Sequence, residues 1–381
     1  MKIVFHLNSM GLGGAERVVG ILSGCFAGMG HDVTIATEWR SAKEYETDPR
    51  VKRVHVGPFE DEYMCSFEGK SIIKRILTMI KRHTKLRHFV RESGPDVLIS
   101  FCNKANFRAS VALMGLSTRL IVSVRNDPGV DYAPYGFFTG MMKKKADGFV
   151  FQTEDAMKWF DLGKDAKATV IMNPLSDRIC SIDKPLYDKN RWQDATAQKT
   201  ILSLGRIARQ KNLMLLVKSF EKTLEDAPEI RLRVFGDTED KDVLDDVRDY
   251  IKEKDLTEFI RISEATDDVV GELGKAYMFV LSSDYEGMPN SLMEAMAAGL
   301  PCISTDCPCG GPGTLIENGV SGILTRVSDI DDMSDAMRRI INDPSRAQEL
   351  ADNAYKIKEK LMPEKIASEW MSFILSVTEN R

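Results

Sequence analysis

The run Met278-Phe279-Val280-Leu281-Ser282 is followed by Glu286-Gly287-Met288-Pro289-Asn290-Ser291-Leu292-Met293-Glu294, then by Gly299-Leu300-Pro301 and Cys302-Ile303-Ser304. A short apolar run bounded by turn residues reads as a buried strand. Gly287 and Pro289 shape a turn. Leu292–Ala298 reads as a helix, Asn290 or Ser291 is placed to cap it, and Gly299-Leu300-Pro301 ends it. Pro301–Ser304 is the next strand. Strand, loop, helix and strand at this spacing make a βαβ unit, which requires parallel strands.

The same rhythm runs outward. Strand candidates on either side are Thr200–Leu204, Arg231–Phe235, Ile260–Ile262 and Gly322–Thr325. Residues 1–172 repeat the pattern with Lys2–Leu7, Val33–Thr37, Val97–Phe101, Leu120–Val124, Gly148–Gln152 and Ala168–Met172. Helical stretches separate most of them. The fold class is therefore α/β, with two doubly wound parallel sheets and ligands at the carboxyl ends of the strands. The predicted domains are 1–172 and 200–362. Residues 173–199, with Asn173-Pro174 and the polar run Tyr187–Lys199, read as the connection. Residues 363–381 carry Ile366, Trp370, Phe373, Ile374 and Val377 at helical spacing.

Composition agrees with a folded globular chain. Its 381 residues are 43% hydrophobic and 29% charged, with a net charge of -5. Seven cysteines are too few and too scattered for a disulfide framework. No run of about 18 apolar residues is present. The opening Lys2–Leu7 lacks the features of a secretory leader, so a cytoplasmic protein is expected. Residues 1–190 hold 28 Lys+Arg against 22 Asp+Glu, a net of +6, and the remainder nets -11. A basic half and an acidic half point to two domains with different partners.

Five motifs carry candidate chemistry. Gly11-Leu12-Gly13-Gly14-Ala15-Glu16-Arg17 follows the first strand and opens a helix, a place where a backbone can approach an anion. It approximates a dinucleotide fingerprint with Gly11 and Gly13, but Glu16 stands where Gly or Ala is needed. Glu38, ending the second strand, stands where a ribose-binding acid would. Gly205-Arg206 with Gln210-Lys211-Asn212 puts two cations beside a helix start, either a phosphate clamp or solvated loop charges. Glu286 and Glu294 bracket one ligand-sized span. Carboxylates there can grip vicinal hydroxyls, while Ser291 and Glu294 also spell a capping box. Cys307-Pro308-Cys309-Gly310-Gly311-Pro312-Gly313 is a second Gly-rich turn, and with no further Cys/His pair nearby no metal is expected. Finally, Lys70, Lys74, Arg75, Lys81, Arg82, Lys85, Arg87 and Arg91 run without an acid until Glu92, around Ile72, Ile73, Ile76, Leu77 and Ile80. Such a helix suits an anionic membrane surface. The plain reading packs its apolar face on the sheet and leaves the cations to solvent. Nucleic acid is not expected.

In combination these motifs resemble the retaining GT-B glycosyltransferases of family 4, and most of all their bacterial polysaccharide and lipid-linked-oligosaccharide members. The resemblance rests on Gly13–Glu16, on Gly205-Arg206 with Lys211, on the Glu286/Glu294 pair and on the late Gly-Pro loop. It implies two Rossmann-like domains facing across a cleft, with the C-terminal helix returning to the first. It implies a nucleotide-diphosphate sugar donor, UDP favoured, from which a hexose or N-acetylhexosamine passes to a glycan or polyprenyl-linked saccharide without a metal or other cofactor. By match of motif, Arg206 and Lys211 would hold the diphosphate and Glu294 the ribose. Glu286 would face the donor sugar, Ile262 and Ser263 the base. Gly287, Met288, Pro289, Asn290, Ser291 and Leu292 would line sugar and phosphate, with Gly13 and Gly14 opposite. Asn103, Arg125 and Asn126 are placed on the acceptor side. Val124-Arg125-Asn126 replaces the His that many members carry there. Two rivals from other classes are an NAD-dependent enzyme acting on a nucleotide sugar and a non-catalytic sugar-nucleotide-binding protein.

Overall fold

A computed structural model describes residues 1–66, 69–192 and 198–379. Residues 193–197 of the expected connection and 380–381 of the terminal segment lie outside this range. The chain forms two compact units, Met1–Pro174 with Pro363–Arg381, and Leu175–Met362.

The first unit holds β1 (Lys2–Leu7), β2 (Asp32–Thr37), β3 (Lys52–His55), β4 (Val97–Phe101), β5 (Arg119–Ser123), β6 (Gly148–Phe151) and β7 (Ala168–Val170). They pair in parallel in the order β3-β2-β1-β4-β5-β6-β7. Most of these strands are buried along nearly their whole length, as expected of a parallel sheet covered on both faces. The edge strand β3 was not predicted. Its Lys52-Arg53-Val54-His55 is too polar to announce itself, and two of the four residues are exposed.

The helix Pro363–Thr378 belongs to this first unit. Its Ile366, Trp370, Ile374 and Val377 join the core built by Phe5, Phe26 and Phe101. Trp370 stacks on Phe101 with ring centroids 5.8 Å apart. Gly148 in β6 admits the helix closely, since a Cβ there would lie 2.8 Å from Val377 Cγ2. Trp370→Ala is expected to cost ~3–5 kcal/mol, read as a lowered first transition in calorimetry.

The second unit holds β8 (Thr200–Leu204), β9 (Arg231–Phe235), β10 (Ile260–Ser263), β11 (Met278–Leu281), β12 (Cys302–Thr305) and β13 (Ile323–Thr325). Their order is β10-β9-β8-β11-β12-β13, again all parallel. The segment read as a connection is largely built into this unit. Leu186 N donates to Ala298 O at 2.8 Å, and Tyr187 and Trp192 pack edge-on against Tyr277.

Two helix readings are corrected. The helix after the Glu286 loop runs Asn290–Ala297 with Pro289 at its N-cap, and no side chain caps it. The long basic helix runs Ile72–Ser93, and its buried residues are Thr78, Arg82, Leu86 and Val90. Its residues Ile72, Ile73, Ile76, Leu77 and Ile80 are exposed, not packed on the sheet.

Candidate active site

In the second sheet the strand order reverses between β8 and β11. Loops leaving their carboxyl ends diverge there and open a crevice. Both loops come from the motifs singled out above.

The β8 loop turns sharply against β9. Gly205 N donates to Phe235 O at 3.0 Å, and a Cβ on Gly236 would lie 1.7 Å from Gly205 O, so only glycine fits beneath it. A 3-10 turn, Arg209–Lys211, delivers Lys211. Asn212, left-handed at φ 43, then caps the helix Leu213–Leu224 by accepting from Leu215 N at 3.1 Å. Hydrogen bonds stitch this loop to the β11 loop. Asn212 Nδ2 donates to Asp284 Oδ1 at 2.7 Å, Asp284 N to Gln210 O at 2.9 Å, Gln210 Nε2 to Tyr285 O at 2.8 Å and Ser282 Oγ to Lys211 O at 2.9 Å.

The stitching brings Lys211 and Glu286 together, 75 residues apart in sequence. Lys211 Nζ donates to Glu286 Oε1 at 2.5 Å, and Ser283 Oγ donates to the same oxygen at 2.7 Å. The carboxylate is buried and the ammonium mostly so. The ammonium has three protons and spends one on Glu286, so it can hold a further anion at the same time. A third loop supports the second: a Cβ on Gly311 would lie 1.8 Å from Gly287 O. Burial and the Glu286 carboxylate push the Cys307 thiol up to about 12, which leaves it protonated and inert.

Glu294 is buried, one turn into its helix and out of register with a capping box headed by Ser291. The capping reading therefore falls. Gly287, Met288, Pro289, Asn290, Ser291 and Leu292 form the loop and first turn. Ile262 and Ser263 end β10, whose Ser263 O accepts from Gly236 N at 3.0 Å.

Arg206 only partly meets its expectation. It lines the same narrow recess as Lys211, with Gly205, Ile207, Leu213 and Leu281. Its guanidinium, however, pairs with Glu239, and both side chains are about half exposed (55% and 51%). Exposed pairs are worth roughly 0–1 kcal/mol, so this one yields readily to a stronger anion. Arg206→Ala is expected to raise the donor KM about tenfold while sparing the melting temperature, measured by steady-state kinetics and thermal shift.

In the first unit Gly13 is the N-cap of the helix Gly14–Gly28. Glu16 folds back over it, with Oε2 2.2 Å from where a Gly13 Cβ would lie. The expected anion site at this helix start thus carries a carboxylate of its own. Glu38 is fully buried and does not offer itself to a ribose. It faces Arg108 at 3.2 Å, Arg82 at 3.5 Å and His6 Nε2 at 3.9 Å. That orientation removes the main support for the NAD reading. Burial and Arg108 depress His6 to about 3, so it stays neutral in the fold while an unfolded histidine protonates near 6.5. Stability supplied by neutral His6 is complete above pH 6.5 and drains away as pH falls toward 3. His6→Gln should flatten the pH slope of unfolding by about one proton in that window, measured by urea titration.

On the proposed acceptor side, Asn103 Nδ2 donates to Asp131 O at 2.9 Å and Asn126 Nδ2 to Asp131 Oδ1 at 3.5 Å. Arg125 turns elsewhere, onto the Phe101 ring at 5.1 Å and to Asn173 Oδ1. Burial lowers its pKa to about 10, which leaves it cationic at neutral pH. Gln210 and Ser283, which position the ion pair, were missed. Adjacency to Lys211 was the only signal for Gln210, and Ser283 had none.

Two family models account for most of the chain. "Glycosyl transferase 4-like domain" matches residues 13–172 and "Glycosyl transferases group 1" matches 187–357. The fold is shared with sucrose-phosphate synthase from Thermosynechococcus elongatus, at TM-score 0.81 and 16% identity over 100% of this chain and 99% of that one. The chain belongs to the GT-B glycosyltransferases.

A second GT-B structure, Anabaena HepE in complex with UDP and glucose, covers 99% of both chains at TM-score 0.77 and 16% identity. Among curated relatives, an uncharacterized glycosyltransferase of Haemophilus influenzae is 25% identical over 98% of this chain and 99% of its own. An undecaprenol-diphosphate-oligosaccharide alpha-1,4-N-acetyl-D-galactosaminyltransferase of Campylobacter jejuni is 24% identical over 99% of each. No described helix of this glycosyltransferase is long and apolar enough to cross a membrane.

Proposed function

We propose that this glycosyltransferase moves a hexose or N-acetylhexosamine from a UDP-sugar to a glycan or polyprenyl-linked saccharide, with retention and without a divalent ion. The observation that carries the reading is the Lys211–Glu286 contact at the switch point of the second sheet. It joins a cation suited to a departing diphosphate to a carboxylate suited to a sugar. Relatives named for polyprenyl-diphosphate-linked acceptors, and a shared fold solved with UDP and glucose, support the substrate classes.

The mechanism follows from charge. Cleaving the glycosyl–phosphate bond builds negative charge on the diphosphate and oxocarbenium character on the sugar. Lys211, Arg206 and the first-turn amides of Asn290–Ala297 answer the first without reorganising. Glu286 answers the second electrostatically. Its Oε1 already accepts from Lys211 and Ser283, a poor setting for a covalent nucleophile. Same-face attack then follows, the departing phosphate taking the acceptor proton. Glu294 takes the ribose hydroxyls, and Glu294→Gln should weaken donor binding in a thermal-shift titration. Unchanged affinity would remove that role.

The test is a thermal-shift panel of UDP-, GDP- and ADP-sugars, followed by turnover read as released nucleotide diphosphate. A UDP-sugar that binds only the native state should raise the melting temperature most. Turnover should persist in excess EDTA, with an α-linked product from an α-linked donor. Abolition by EDTA, an inverted product, or an NAD-specific shift would each defeat the proposal.

A further inference from the structure

The helix Ile72–Ser93 is longer than the sheet it serves. It ends three residues before β4 begins. Arg82 reaches Glu38 just past β2 while Lys85 donates to Gly57 O just past β3, so its N-terminal half lies toward the carboxyl ends of the strands. Its 22 residues span about 33 Å, whereas the 5 residues of β4 span about 17 Å. The N-terminal half therefore overhangs the carboxyl edge of the first sheet. Burial follows that geometry, since Thr78 is the first residue of the helix that the unit covers.

The overhang is not polar. Ile73, Ile76, Leu77 and Ile80 share the face opposite Thr78 and Arg82, by the 3.6-residue period. Ile72 and Ile73 are 75% and 71% exposed. Lys74 and Lys81 flank that face, Arg75 falls by the same period on the side of Thr78 and donates to Lys70 O, and no acid occurs from Gly69 to Arg91. A second apolar element stands on the same layer. The helix Gly136–Lys145 and the long helix both pack on the helix Asn103–Ala112. It too starts at the carboxyl edge, and Phe137 in its first turn is 80% exposed. Exposed isoleucines and phenylalanine, with lysines flanking the isoleucine face, match the chemistry of one occupant, a bilayer with anionic headgroups.

We infer that the overhanging half of helix Ile72–Ser93, with Phe137, docks the first unit on an anionic membrane surface. This rests on the proposed polyprenyl-linked acceptor and names the surface on which that acceptor is met. The isoleucines enter the headgroup–acyl boundary and the cations hold the phosphates.

The experiment is co-sedimentation of the full chain with vesicles of phosphatidylcholine alone or with phosphatidylglycerol added. Binding should require the anionic lipid and weaken with salt. Ile73→Ser/Ile76→Ser/Ile80→Ser and Lys74→Glu/Lys81→Glu should each lower the bound fraction at least about tenfold, with the UDP-sugar thermal shift unchanged. The shift reports the donor site alone, so loss of vesicle binding is distinguishable from failure of the proposed activity. Equal binding to neutral vesicles, or undiminished binding by either variant, overturns the inference. So does a concentration-dependent dimer in sedimentation velocity that the serine variant dissolves, because a second copy would then cover the face.

Discussion

Lys211→Ala should lower turnover by about 10²–10³-fold, the range seen when one preorganised donor to a developing oxyanion is removed. The effect should fall mainly on kcat, because charge on the leaving diphosphate grows in the transition state. The structure adds a stability cost that a solvated loop cation would not carry. Lys211 is largely buried against Glu286, and removing one partner strands a buried carboxylate. That penalty reaches ~3–5 kcal/mol for a fully buried pair. Ser283 remains as a donor to Glu286 and the ammonium retains some exposure, so a smaller loss is expected here. Lys211→Met on a Glu286→Gln background restores a neutral pair and separates the two effects. Its melting temperature should recover while turnover stays low. A double variant with full turnover would remove the diphosphate clamp.

Glu286→Gln is the second large effect. The amide keeps the shape but surrenders the charge that holds Lys211 and that the proposed mechanism sets against the donor sugar. Turnover should fall by roughly 10²-fold or more, with UDP binding nearly intact because UDP lacks the transferred hexose. Mass spectrometry of the wild type under turnover should find no glycosyl adduct at Glu286. A trapped adduct there would replace electrostatic stabilisation with a covalent intermediate. Calorimetric titration of UDP against UDP-sugar resolves the binding half: the variant should lose affinity for the sugar nucleotide selectively.

The strands were legible because parallel strands covered on both faces must be apolar along their length. Thr200–Leu204 and Val97–Phe101 stand as read. β3 escaped because an edge strand tolerates Lys52 and Arg53. Residues 173–199 misled because a polar, aperiodic stretch resembles a tether. Tyr187 and Trp192 nevertheless anchor on Tyr277, a contact no local pattern encodes.

Within the candidate site, residue types and strand-end positions were readable, and directions were not. Glu38 sits where a ribose acid belongs, but it faces inward to Arg82 and Arg108. Arg206 and Lys211 share a loop, yet Glu239 takes one and Glu286 the other. Glu294 and Ser291 have capping-box spacing, and one shift in where the helix starts cancels it.

Periodicity, glycine placement and charge order settle by themselves that this chain builds two parallel sheets with polar loops at their carboxyl ends. They act locally, through backbone sterics and the burial of apolar faces, and local causes are written in order along a chain. Tertiary structure alone settled that Lys211 meets Glu286, that Glu38 is buried, and that half of a basic helix overhangs its sheet. Each depends on the lengths and orientations of elements far apart in sequence, and only packing sets those.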